Sequence, residues 1–218
     1  MEALTTPPQI RVPRLSATDR LVSLPPLSLL RAADGAPPRL RTALRIGVRG
    51  GALVVRFDAR DEGWVGTKTR RDDALWEEDV FEAFLAPLDP PHTYYEFEVN
   101  PLGTLFDARI ESPRLTRPTI CVDVLWDCPG YRARVTRRPD AWSAALTIPL
   151  APLCGGESVP LRWRANFYRV DRGQTGQTGQ TTEYSAWSPL HRDPPDFHDA
   201  TRFGTLLFDQ PTLSGGFP

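Results

Sequence analysis

Residues 74 to 87 read ALWEEDVFEAFLAP. An indole, Trp76, stands before three consecutive acids, Glu77, Glu78 and Asp79, and a further acid, Glu82, interrupts the apolar run that follows. Three kinds of chemistry use such a combination. Paired carboxyls can act as acid and base in glycoside cleavage, which in retaining enzymes needs two of them about 5 Å apart, with Glu78, Glu82 and Glu98 the candidates. Clustered carboxylates suit a hard cation such as calcium, which takes several oxygen ligands, and Asp72, Asp73, Glu77 and Asp79 are the acids to supply them. An indole beside an acid suits a pyranose, which presents C–H bonds from its faces and hydroxyls from its edge. A second group, HRDPPDFHD at 191–199, crowds His191, Asp193, Asp196, His198 and Asp199 into one loop. There Pro194 and Pro195 fix an extended path on which metal ligands converge with difficulty.

The elements that must position these groups are strands. Helical periodicity is almost absent, and 23 prolines in 218 residues favour short strands joined by turns. TALRIGVRGGALVVRFDARD predicts a hairpin about Gly50-Gly51. DVFEAFLAP predicts the next strand, and YYEFEVNPLGTLFDARI a second hairpin turning at Pro101 to Gly103. YRARVTRR, WSAALTIPL, LRWRANFYRVD, TEYSAWSP and FGTLLF complete a series at sandwich-like spacing. The repeat GQTGQTGQ at 173–180 reads as a flexible surface loop. Period-two alternation sets Phe81, Ala83 and Leu85 inward and Val80, Glu82 and Phe84 outward. In the second hairpin it puts Tyr95, Phe97 and Val99 on one face, with Phe106, Ala108 and Ile110 expected to match them. Glu96, Glu98, Asn100, Asp107 and Arg109 fall on the other face, which Glu82 would share.

Composition bounds the function. A 24.4 kDa chain fits one undivided all-β sandwich. A net charge of -1, from 26 basic and 27 acidic residues, leaves no excess to neutralise nucleic acid or an anionic bilayer. No segment approaches the roughly 18 to 20 apolar residues of a membrane span. The start MEALTTPPQIRVPRL has neither the basic region nor the apolar run of a secretory leader, so a cytoplasmic location is expected. Cys121, Cys128 and Cys154 suit reduced thiols better than disulfides or zinc. Haem held by a Met–His pair is disfavoured, because Met1 is the chain's one methionine.

LWEEDVFEAFLAP, YYEFEVNPLGTLFDARI, WSAALTIPLAPL, WRANFYRVD, EYSAWSP and DFHDATRFGTLLF, in this order, resemble the family 9 carbohydrate-binding module and its free-standing relatives. Residues 1–39, with SLPPLSLL and DGAPP, read as an irregular lead-in; the resemblance implies an immunoglobulin-like or jelly-roll-like antiparallel all-β sandwich over 40–209, which leaves a tail over 210–218. It implies a non-catalytic protein that binds sugars, with chain ends of glucan or xylan the ligands of xylanase-associated members, and with structural calcium. By resemblance Trp76 and Trp187 are the two indoles that hold a sugar between them, and Glu82 is the acid that binds its hydroxyls. Glu98, Asn100, Arg109 and Asn166 are further hydrogen-bonding candidates, and DFHDATRFG is a loop that docks before the final strand. A glycan-processing enzyme using sheet carboxylates, or a protein-interaction scaffold that has lost sugar binding, are the alternatives.

Overall fold

The computed structural model describes residues 6–175 and 179–209. Its strands are β1 (Gln9–Val12), β2 (Leu27–Ser28), β3 (Leu30–Arg31), β4 (Thr42–Arg49), β5 (Ala52–Arg60), β6 (Val80–Ala86), β7 (Thr93–Val99), β8 (Leu105–Glu111), β9 (Cys121–Asp123), β10 (Arg132–Arg138), β11 (Ala141–Pro149), β12 (Arg162–Thr175), β13 (Gly179–Ala186) and β14 (Gly204–Phe208). A five-stranded sheet runs β10-β11-β5-β4-β2. A nine-stranded sheet runs β1-β14-β12-β6-β7-β8-β9, with β13 added along β12 and β3 along β13. The strand pairs are antiparallel except β1 with β14, which is parallel. This is the all-β sandwich expected from the alternation of the sequence.

The inward faces meet in an aromatic stack. Phe81 of β6 lies 4.6 Å from Phe57 of β5 and 3.8 Å from Trp142 of β11, ring centroid to centroid. Ala83, Leu85, Phe97, Trp163 and Phe167 extend this inter-sheet core. The larger sheet also buries much of its outer face. There Val80, Phe84, Tyr94, Phe106, Ala108, Ile110, Tyr168 and Phe203 form a second apolar layer. Residues 189–203 roof part of it: Phe197 stacks on Tyr168 at 4.0 Å, and the Tyr94 hydroxyl meets His198 Nδ1 at 2.8 Å. The loop DFHDATRFG therefore docks on the outer sheet face.

The β7–β8 register corrects one expectation. Glu98 faces Phe106, Glu96 faces Ala108 and Tyr94 faces Ile110, whereas Tyr95 faces Arg109 and Phe97 faces Asp107. Phe106, Ala108 and Ile110 thus share the side of Glu96 and Glu98, and Asp107 and Arg109 share the side of Tyr95 and Phe97. A shift of one residue at the turn exchanges the faces of a whole strand. Here the turn is closed by Asn100, whose side-chain oxygen accepts the N–H groups of Leu102 and Thr104 at 3.0 and 2.9 Å. A second correction concerns the GQTGQTGQ repeat, where β12 runs on to Thr175 and β13 begins at Gly179; residues 176–178 lie outside the described residues, as does the 210–218 tail.

Strand β12 is the spine of the large sheet. One edge pairs with β6, while the other pairs first with β14 and then with β13. At the changeover the Asn166 side chain donates to Ser188 O and accepts from Ser188 N, both at 2.9 Å, and Trp187 N donates to Phe167 O. That pairing turns the Trp187 ring into the inter-sheet core, where it is 5% exposed and lies 5.8 Å from Phe167. Gly204 makes room for it, since a Cβ there would stand 2.5 Å from Trp187 Cζ3 and 2.7 Å from Pro8 O. Trp142→Ala and Trp187→Ala should each lower unfolding free energy by about 3 to 5 kcal/mol, the cost of truncating a buried indole. Urea denaturation measures both, and an equal loss at the two positions is the expected outcome.

Candidate functional site

A cleft of about 680 Å³ opens on the outer face of the larger sheet. Glu82 and Phe84 of β6, Glu96 of β7, Phe106 of β8, and Val170 and Arg172 of β12 line its sheet side. Tyr184 of β13, Arg117, and the segment from Arg192 to His198 line the rest, with Val122 and Val124 at the edge. Arg117 and Asp196 join across loops at 3.2 Å, and Arg192 stands 3.8 Å from the same Asp196. Burial holds the His198 imidazole below its ordinary pKa, which favours the neutral ring.

Trp76 stands at the mouth of the cleft, 45% exposed. It belongs to the short 3₁₀ turn Leu75–Glu77, which is anchored by the fully buried Leu75. Phe106 meets the indole edge-to-face at 5.4 Å, and Arg172 Nη2 donates to Trp76 O at 2.9 Å while its Nη1 donates to Thr182 Oγ1 at 2.7 Å. The three acids that follow secure this loop. Glu77 pairs with Lys68 Nζ at 2.6 Å. Glu78 accepts from Thr67 N at 2.7 Å, Lys68 N at 3.1 Å and the Thr67 hydroxyl. Asp79 accepts from Val65 N at 2.6 Å and Arg172 N at 2.5 Å. These bonds satisfy backbone donors that a loop lying over a sheet would otherwise bury unpaired.

Carboxyls crowd the sheet side. Glu82 and Glu98 sit directly opposite each other in β6 and β7, and Glu96 is the diagonal neighbour of Glu82. One oxygen from each of the three lies within 4.8 Å of the others. Glu82 is 2% and Glu98 0% exposed. Burial, reinforced by the charge of Glu96 on the first and of Glu82 on the second, pushes both carboxyls well above the usual carboxylate range.

Of the residues marked out by sequence, Trp76 and Glu82 meet at the cleft. Glu98 lies beneath its floor. Asn100 closes the β7–β8 turn and donates to Lys68 O at 2.8 Å. Arg109 pairs with Glu111 at 2.9 Å on the side away from the cleft. Asn166 is occupied by Ser188, and Trp187 is on the opposite face of the sheet from Trp76, so the two indoles do not face each other. Glu96 was legible as a polar-face residue of β7. Arg117, Arg172 and Tyr184 had no local signal, because only the folding of distant loops and strands brings them to the cleft.

The four acids expected to gather round calcium occupy separate surroundings. Asp72 groups with Asp107 and Asp127, and Asp79 with Asp61 and Asp171. Asp73 accepts from Arg70 N at 3.0 Å, and Glu77 is taken by Lys68. Both aspartate groups carry an arginine: Arg71 binds Asp107 and Asp127, and the buried Arg169 lies 2.9 Å from Asp61 and 3.4 Å from Asp171. The four acids do not make a common ion site.

Comparison with known proteins gives a consistent picture. A family model described as Carbohydrate-binding family 9 matches residues 34–208. A curated relative, an "Extracellular protein" of Arthroderma benhamiae, is 25% identical over 181 residues, covering 78% of this chain and 80% of its own. A solved putative carbohydrate-binding protein from Bacteroides uniformis superposes with a TM-score of 0.70 at 18% identity, covering 94% of this chain and all of that one. A family 9 module from Caldicellulosiruptor kristjanssonii, solved with cellotriose, superposes with a TM-score of 0.64 at 12% identity, over 96% of this chain and 98% of that one. These structural likenesses carry the sandwich fold. The cytoplasmic location expected from the N-terminal residues is contradicted by the extracellular relative, whose similarity spans most of both chains.

The loop architecture makes a paired prediction. Trp76→Ala should change unfolding free energy by no more than about 1 kcal/mol, because the ring is half in water. Asp79→Ala should cost about 1 to 3 kcal/mol by orphaning two backbone donors. Denaturant titration of the two variants checks this contrast.

Proposed function

This chain belongs to carbohydrate-binding family 9, and on that premise we propose that its outer-sheet cleft holds a sugar, with Trp76 as the apolar plane and Glu82 and Glu96 as the polar edge. The observation that carries the reading is the indole itself: a large ring left 45% exposed at the mouth of an aromatic-lined cleft, and held there by Phe106 and Arg172. Exposing an indole forfeits burial energy, and stacking on the C–H face of a pyranose recovers it. Carboxylates and guanidinium groups then address the hydroxyls. Arg117, Arg192 and Asp196 supply such groups from the loop side. The other aromatic surfaces of the cleft are Tyr184, Phe197, Phe84 and Phe106, so any second plane against the sugar comes from these and not from Trp187.

The proposed role is binding without catalysis. Glycoside cleavage places its two carboxyls on either side of the scissile bond. Glu82 and Glu96 both rise from one wall, on adjacent strands of a single sheet face, and Glu98 lies below that wall. The extracellular relative supports a setting outside the cell, where polysaccharide is met. The solved family members, with cellotriose in one and glucose in another, support short β-glucans and their chain ends as the first ligands to try.

Calorimetric titration with glucose, cellotriose and xylo-oligosaccharides tests the reading. Wild type should bind at least one of them, and Trp76→Ala should weaken that binding by about tenfold or more, equivalent to about 1.4 kcal/mol. Incubation with a panel of nitrophenyl glycosides should release no nitrophenol. Absence of binding across the sugar panel, or full affinity in Trp76→Ala, would remove the cleft from consideration.

A further inference from the structure

A net charge of -1 hides a strong separation of sign. The five strands of the smaller sheet carry eight arginines and one acid, Asp58. Except for Arg137, which is set over the Trp64 ring, these arginines share the parity of the outer face. Arg134, Ala145, Arg56 and Arg45 follow one another in a row across β10, β11, β5 and β4, and Arg138, Ala141 and Arg60 form a second row beside Arg41. Like charges directly opposed, as Arg45 and Arg56 are, destabilise a sheet. Asp58 offsets that pair, at 3.0 and 2.6 Å, and Asp140 takes Arg60 at 2.5 Å. Arg41, Arg132, Arg134 and Arg138 are exposed and have no carboxylate partner among the described residues. Charges that only keep a sheet soluble, or guard an edge strand such as β10, have no need of one sign across several strands.

The small residues Ala141 and Ser143 of β11 leave the longer side chains standing over a groove of about 700 Å³, which Arg41, Arg56, Arg60 and Arg138 line. We propose that this face binds a linear polysaccharide bearing carboxylates, of the polyuronate class, laid along β11. Guanidinium forks match the geometry of carboxylates, and every basic residue of these strands is Arg. From Arg132 to Arg138 the unpaired groups of β10 span about 20 Å at the rise of a strand, which suits an extended chain of repeated charges better than one small anion. Thr136 and Ser143 offer hydroxyls between the two rows of arginines. A nucleic acid fits less well, because the outward positions of these strands hold no aromatic ring on which a base could stack. The choice of a glycan rests on membership of carbohydrate-binding family 9. It does not rest on the Trp76 cleft, which opens on the other sheet.

The test uses the whole chain and fluorescently labelled oligogalacturonate, a short homopolymer of a uronic acid, read by anisotropy. Wild type should bind it saturably, and raising sodium chloride from about 50 to about 200 mM should weaken binding by about tenfold or more, through the counterions that several charge contacts release. The double variant Arg134→Glu with Arg138→Glu should lose about tenfold or more in affinity at an unchanged melting temperature, since both side chains are exposed. Arg70→Glu with Arg114→Glu makes the same change of net charge at exposed positions outside this sheet, and should bind as wild type does. No binding by wild type, equal losses in the two double variants, or tighter binding of single-stranded oligo(dT) than of oligogalacturonate at the same salt would each overturn the proposal. Cellotriose separates the groove from the cleft. It should not displace oligogalacturonate, and displacement would move the acidic glycan to the cleft and remove the groove. Oligogalacturonate binding in a protein that binds no neutral sugar would leave the groove standing without the cleft.

Discussion

The packing of Phe81 between Phe57 and Trp142 is the constraint from which the rest of the molecule follows. The three rings join the first residues of β6 to two strands of the opposite sheet, and a strand held so firmly on one side has its other side decided by the two-residue period. Glu82 must then point outward, as must Phe84. The same core fixes β7 through Phe97, so that Glu98 is brought directly across from Glu82. Packing energy gathered on the inner face, of order 2 kcal/mol or more per large side chain, is thus what forces carboxyls together on the outer one.

The outer face is completed by loops that owe their shape to hydrogen bonds more than to apolar contact. The run Glu77-Glu78-Asp79 meets Lys68 and the backbone donors of Val65, Thr67, Lys68 and Arg172. Leu75 supplies the buried anchor, and Trp76, its neighbour, is turned outward as a result. Acids that invite a catalytic or ion-binding reading are here the fasteners of a loop, and the residue they fasten is the one that offers a binding surface.

How far this could be read in the sequence depended on the range of the forces involved. The faces of β6 followed from alternation alone, and the joint placement of Trp76 and Glu82 followed from a strand end next to a strand of known parity. The β7–β8 register did not, because the parity of a hairpin is set by its turn, and here Asn100 sets it through bonds invisible to a periodicity argument. Trp187 escaped for a similar reason: it lies just past the end of β13, where alternation gives out and the bonds of Asn166 decide its direction. Asp72, Asp73, Glu77 and Asp79 are near in sequence but lie in an irregular segment, so nearness carried no information on convergence. The second apolar layer, roofed by residues from the far end of the chain, depends wholly on long-range contacts.

The parallel pairing of β1 with β14 has a consequence for how the molecule comes into being. Residues 9–12 lie along residues 205–208, so the first described strand to be made finds its partner only in the last described strand. Until then β12, which must receive β14 along its first four residues, presents unpaired amides and carbonyls there. Closure of so wide a loop is entropically slow, and open strand edges are the surfaces on which nascent sheets associate wrongly. The large sheet therefore passes through its most vulnerable interval before β14 is made, with its side from β12 to β9 able to assemble and the margin formed by β14 and β1 still missing.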